Sequence, residues 1–206
     1  MIIFVDGLPG SGKSVVIQQL EKAFGNIGLS TEIFEGISKY HLYRTLQSIN
    51  EGESDFNTKL LSLPLSILRT LQSIEVELEL NTNIILVENG PAAYCAYTQP
   101  RLKDIEMRNH IMALLGQSIY RLINKFSVPF IQIYTKYDLG ECKDLEHQET
   151  HNELKLISDT YGEWFAPSKD IKQHIINTND LSNIDAIVQQ WVYTILDDQN
   201  KFNSRS

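Results

Sequence analysis

The sequence predicts a three-layer α/β fold: a five-stranded parallel sheet flanked by helices. Three observations predict it. Short apolar runs alternate along the chain with longer stretches of helical periodicity. The clearest runs are apolar at every position, as in strands buried on both faces. Each gap between two runs holds a helical pattern, which calls for crossover connections and therefore parallel strands.

Ile2-Ile3-Phe4-Val5 is the first run. A glycine-rich turn follows, then a helix with Val16, Ile17, Leu20 and Phe24 on one side, ended by Asn26 and Gly28. Thr31 to Phe34 is the second strand. Ile67, Leu68, Leu71, Ile74 and Leu78 recur at helical spacing, with Pro64 near the start. Ile84-Ile85-Leu86-Val87 is the third strand. Met107, Ile111, Leu114, Leu115, Leu122 and Phe126 mark another helix, and Pro129 opens the strand Phe130 to Tyr134. Leu154, Ile157, Tyr161, Trp164 and Phe165 form a stripe that stops before Pro167. His174-Ile175-Ile176 is the fifth strand. Ser182 with Asp185 resembles a capping box. It starts a last helix with Ile184, Ile187, Val188, Trp191, Val192, Ile195 and Leu196 on one face. Trp164 and Trp191 read as core residues on these stripes.

The turn after the first strand carries chemistry. Gly7-Leu8-Pro9-Gly10-Ser11-Gly12-Lys13-Ser14 matches the phosphate-binding pattern Gly-x-x-x-x-Gly-Lys-Ser in full. Glycines let the backbone turn tightly and aim N–H groups inward. The helix that follows adds its N-terminal partial positive charge. Lys13 can reach the outer phosphates of a nucleoside triphosphate, and the Ser14 hydroxyl can ligate Mg²⁺. Gly7, Pro9, Gly10, Ser11, Gly12, Lys13 and Ser14 are therefore the candidate nucleotide-binding residues, with ATP and Mg²⁺ the expected cofactors.

Such a site needs a carboxylate near the phosphates, usually at the end of a neighbouring buried strand. Glu88 ends the third strand and is the candidate, with Ser14, for holding the metal. Asp6, just before the loop, either hydrogen-bonds the loop or touches ligand. Glu35 ends the second strand, where an open α/β sheet places its ligands. It could accept a proton from a substrate hydroxyl, bind a sugar hydroxyl, or be a surface acid.

Composition bounds the rest. The chain has 206 residues and a net charge of −8, with 42% hydrophobic residues. That length fits one domain, expected at residues 1–196, followed by a polar tail at 197–206. An acidic surface repels phosphate backbones and anionic lipid, so neither nucleic acid nor membrane is an expected partner. Two cysteines far apart, Cys95 and Cys142, suit a reduced, cytoplasmic setting. His147 and His151 are four apart, but no third metal ligand is near and they read as a solvated helix face. No nucleophile elbow marks a hydrolase.

Several features together resemble the thymidylate kinase and deoxynucleoside kinase group of P-loop kinases. The loop Gly7 to Ser14 sits at the N-terminus, Glu35 falls after the second strand, and Arg69 lies on a long helix leading into the third. Leu86-Val87-Glu88-Asn89-Gly90 falls where that group has an acidic residue followed by arginine. Ala96-Tyr97 resembles an Ala-Tyr pair a few residues on, and Arg101 follows it. The resemblance implies a kinase of nucleosides or nucleoside monophosphates, thymidylate-like, with Lys13, Glu35 and Glu88 catalytic. It implies Glu35, Arg69, Tyr97 and Arg101 at the acceptor site and a lid at 136–151. A homodimer is left open.

Two departures stand out. Asn89 replaces the arginine of the acidic–arginine pair. The lid region contains Lys136 and Lys143 but no arginine. Other classes consistent with the loop are a P-loop kinase with a non-nucleotide acceptor and a nucleotide-binding switch. Thr135-Lys136-Tyr137-Asp138 resembles the Thr-Lys-x-Asp form of a guanine-binding motif, which gives the switch a GTP-binding variant.

Overall fold

The computed structural model describes residues 1–37, 56–98, 105–136, 151–164 and 172–203. Five strands form one sheet in the order β2-β3-β1-β4-β5, with every neighbouring pair parallel. They are β1 (Ile2–Gly7), β2 (Thr31–Glu35), β3 (Ile84–Glu88), β4 (Phe130–Lys136) and β5 (Lys172–Asn177). Among the described residues six helices connect and cover them. These are α1 (Lys13–Asn26), α2 (Phe56–Glu79), α3 (Pro91–Thr98), α4 (Ile105–Phe126), α5 (His151–Trp164) and α6 (Ile184–Asn203).

The strand alternation sorts the core into two layers. Ile2 and Phe4 of β1, Ile85 and Val87 of β3, and Phe130 and Tyr134 of β4 face the layer covered by α2, α3, α4 and α5. Ile3, Val5, Ile84, Leu86, Ile131 and Ile133 face the layer covered by α1 and α6. Burial on both faces is why the three central strands read as continuous apolar runs. The edge strands differ, since each pairs on one side only. Ile33 of β2 is 41% exposed and Ile175 of β5 is 59% exposed.

Local details depart from the sequence expectations for identifiable reasons. Strands β1 and β4 run two residues further, to Gly7 and Lys136, because β1 pairs with β4 as far as Gly7 and β4 pairs with β5 as far as Lys136. Pro64 lies inside α2 instead of near its start; it removes one donor from the helix ladder. Ser182 does not form the expected capping box. Its N–H donates to Asp180 Oδ1 at 2.9 Å, a local turn that competes with capping, and the helix begins at Ile184. Leu114 and Ile187 lie on exposed sides of their helices, and Trp191 is half-buried, edge-on to His174. Helix α6 continues to Asn203, past the expected start of the polar tail.

The strand order positions the site. From β1 the chain crosses to the edge strand β2, returns through β3, and continues on the other side of β1 with β4. Such a reversal opens a crevice at the C-terminal strand ends. Gly7, Glu35, Glu88 and Lys136 are the last residues of four adjacent strands.

Candidate nucleotide site

The phosphate loop leaves the buried end of β1 and enters α1 at Lys13. Its backbone is left-handed at Gly12, with φ of 77°, a conformation that strains any residue with a side chain. Gly12 is the helix N-cap and offers no side-chain acceptor, so the first-turn amides stay available to an anion. Ser11 N donates to Leu8 O at 3.2 Å, which closes the turn. Lys13 is 7% exposed, and its ammonium donates to Gly7 O at 3.1 Å and Leu8 O at 2.8 Å. The loop thus surrounds one buried cation. Pro9 and Gly10 form its outer rim and Ser11 its buried side.

The loop is braced from β4. Thr135 donates its hydroxyl to Asp6 O at 3.1 Å, so it accepts from the Ser11 hydroxyl, 2.6 Å away. Thr135 is fully buried. Nothing in the sequence signalled this brace, since Ser11 and Thr135 lie far apart along the chain.

Ser14 and Glu88 come together, as expected of the metal pair. The Ser14 hydroxyl lies 3.3 Å from both Glu88 carboxylate oxygens. Glu88 is 7% exposed, at the end of β3. A hydroxyl and a carboxylate are hard oxygen donors and suit Mg²⁺. Among the described residues no three His, Cys, Asp or Glu side chains converge on a metal position. Mg²⁺ needs no such cage, because it keeps waters and phosphate oxygens in its shell. The residues present therefore fit Mg²⁺ bound together with a nucleotide.

The Asp6 side chain bonds a different segment from the loop. Asp6 is fully buried and its side chain turns toward the chain that follows Glu88. Oδ1 accepts from Gly90 N at 2.8 Å and from Ala93 N at 3.2 Å. Burial pushes the Asp6 carboxyl up to about 7, while those two amides and the Lys13 charge pull the other way. Beneath it lies Tyr161 of α5, whose ring stacks on Tyr134 at 5.0 Å between centroids. Burial, then the Asp6 charge, raises the Tyr161 phenol well above its usual value.

Asn89 is also buried and serves the backbone. It adopts a left-handed conformation with φ of 60°, which asparagine tolerates better than most residues. Its Nδ2 donates to Ile37 O at 3.1 Å, and its own carbonyl accepts from Ile37 N at 2.9 Å. The side chain in the place of the resembled arginine is therefore tied to the turn after β2.

The expected acceptor residues are distributed unevenly. Glu35 is exposed and sits opposite Glu88 in the β2–β3 register. Two α2 hydroxyls hold that strand end, Thr70 on Glu35 O at 3.0 Å and Ser66 on Gly36 O at 2.9 Å. Sequence reading missed both hydroxyls; they sit four apart, on one helix face. Arg69 lies beside them, exposed. Tyr97 is 1% exposed, within the core between the sheet and α3. Arg101, Lys143 and lid residues 137–150 lie outside the described residues. Among the described residues no helix is long and apolar enough to cross a membrane.

No family model and no curated protein matches the chain. Its structure is similar to that of a thymidylate kinase of broad substrate specificity from Candida albicans. The TM-score is 0.57 and the identity 16%, over 97% of this chain and 92% of that one. The likeness establishes a P-loop α/β fold of the thymidylate kinase type.

Proposed function

We propose that this chain is a Mg²⁺-dependent kinase that transfers the γ-phosphoryl group of ATP to a nucleoside or nucleoside monophosphate, with thymidylate-like acceptors foremost. One observation carries the reading: the Ser14 hydroxyl and the Glu88 carboxylate meet at the mouth of a complete phosphate loop, 3.3 Å apart. Lys13 binds the outer phosphates in place of the loop carbonyls it now contacts. Ser14 and Glu88 would hold the metal. Bound Mg²⁺ neutralises charge on the β- and γ-phosphates.

In transfer, an acceptor oxygen forms a bond to the γ-phosphorus while the bond to the bridging oxygen breaks and ADP leaves. With a nucleoside acceptor the attacking hydroxyl loses a proton, and Glu35 is the carboxylate on the neighbouring strand end to take it. Arg69, Tyr97 and Arg101 are assigned to the acceptor side on the family resemblance. The fold-level likeness to a thymidylate kinase supports the acceptor class.

A second reading is a nucleotide-dependent switch with a preference for guanine. The observation favouring it is Thr135, which opens a Thr-Lys-x-Asp sequence and grips the phosphate loop through Ser11 and the Asp6 carbonyl. One experiment separates the readings. The protein is incubated with Mg-ATP or Mg-GTP and a panel of nucleosides and nucleoside monophosphates, and nucleoside diphosphate release is followed. Acceptor-dependent release of ADP supports the kinase. Tight binding of GTP over ATP with no acceptor-dependent release supports the switch.

A further inference from the structure

We propose that Asp6 is a positioning residue of the nucleotide site: by capping α3 from the neighbouring strand, it fixes the turn that carries Glu88 against the phosphate loop that carries Ser14. The inference rests on reading this site as a Mg²⁺–nucleotide site, and it assigns a role to a residue outside the Ser14–Glu88 pair, whose side chain bonds the turn after Glu88.

A helix start leaves its first amides without intrahelical acceptors, and a Ser, Thr, Asp or Asn at the N-cap normally supplies one. Here the residue before α3 is Gly90, which has no side chain. It cannot be replaced freely, because a Cβ at Gly90 would run into the Phe4 ring of β1. Pro91 follows at the first helical position, where its missing N–H costs nothing. The acceptor for Gly90 N comes instead from Asp6 Oδ1, which also shares the Ala93 N–H with Gly90 O, 3.1 Å away. Asp6 Oδ2 has no hydrogen-bond partner among the described residues, so all the side-chain bonding of this carboxylate goes to the turn.

The main chain of the same residue belongs to the loop. Asp6 O is held by Thr135, Gly7 O holds the Lys13 ammonium, and Asn89 N donates to Val5 O at 3.1 Å. Asp6 is therefore the residue whose backbone lies at the root of the phosphate loop and whose side chain lies in the turn after Glu88. The Ser14–Glu88 separation is set across that link. One carboxyl oxygen bonded to two amides of the same turn holds it at two points, which suits a joint that must stay rigid.

The test measures nucleotide affinity with a fluorescent ATP analogue, in Mg²⁺ and in EDTA, for wild type, Asp6→Ala and Asp6→Asn. Asp6→Ala removes the cap. It is expected to lose roughly tenfold or more of the affinity gained from Mg²⁺, as when a group orienting a metal ligand is removed. Its affinity in EDTA should stay close to wild type, because Lys13 and the loop amides are untouched. Asp6→Asn keeps an acceptor oxygen for both amides and should restore most of the Mg²⁺ gain. Equal losses in Mg²⁺ and in EDTA would mean a merely structural role and overturn the inference, as would Asp6→Asn behaving like Asp6→Ala. If Asp6→Ala does not fold, Asp6→Ser takes its place, since its hydroxyl is too short to reach both amides: loss of most of the Mg²⁺ gain upholds the proposal, and a gain retained within a few-fold overturns it. A wild type that binds no nucleotide under either condition refutes the kinase reading itself, a different result from wild-type binding that Asp6 variants leave unchanged.

Discussion

The Ser14 hydroxyl stands 3.3 Å from each carboxylate oxygen of Glu88, although one belongs to the first helix and the other to the end of the third strand. Because β1 and β3 are neighbours in register, with Val5 opposite Glu88, the loop and the acid emerge at the same edge of the sheet. Glu88→Gln keeps the shape and removes the charge. The Mg²⁺ concentration for half-maximal nucleotide binding should rise roughly tenfold or more. Metal dependence equal to wild type would reduce Glu88 to a structural residue.

Lys13 is the buried cation within the loop. Its ammonium donates two charge-assisted bonds to loop carbonyls, and the proposed function has it exchange them for phosphate oxygens. Lys13→Ala should weaken triphosphate binding by roughly a hundredfold or more while leaving the circular dichroism spectrum unchanged. Unchanged ATP affinity in isothermal titration would refute the assignment of the loop.

Asn89 combines a left-handed backbone with a side-chain bond to Ile37 O. Asn89→Ala loses the bond and retains the strain; Asn89→Gly loses the bond and relieves the strain. Urea denaturation should find the alanine variant less stable than the glycine variant by about 1 kcal/mol, the cost of a left-handed residue carrying a Cβ. Equal stabilities would show that the strain is relaxed elsewhere.

Burial of the Asp6 carboxyl gives stability a pH dependence whose sign follows from the upward shift. Its carboxyl stands at about 7 in the folded chain against 3.8 for the ordinary group. Between those values the folded state binds more protons than the unfolded state, so stability falls as pH rises. The contribution is fully present below about 4 and is lost by the time pH passes about 7, with an upper magnitude of about 4 kcal/mol. Asp6→Asn has no such titration. Denaturation at about pH 5 and about pH 8 should therefore show wild type losing stability relative to this variant on the alkaline side. A gap that stays constant, or widens in favour of wild type at the higher pH, would contradict the buried, raised carboxyl.

Much of this protein was decided within short windows of sequence. The phosphate loop was legible because its chemistry is local: glycines, a lysine and a serine at fixed spacing between a strand and a helix. The central strands were legible because burial on both faces makes them apolar throughout, and the position of Glu88 at a strand end near Ser14 was legible because the apolar run stops at it. What the sequence could not decide depends on partners remote in the chain. The brace from Thr135 to Ser11, the hold of Thr70 and Ser66 on the end of β2, and the cap that Asp6 lends to α3 all cross between elements. Asp6 and Asn89 are polar residues whose neighbours in sequence are the wrong guides. Strand order put Asp6 beside the start of a helix whose own N-cap has no side chain, and it turned Asn89 inward toward Ile37. A buried carboxylate or amide must find its hydrogen bonds wherever the packed sheet brings donors and acceptors within reach. That placement belongs to the tertiary structure alone.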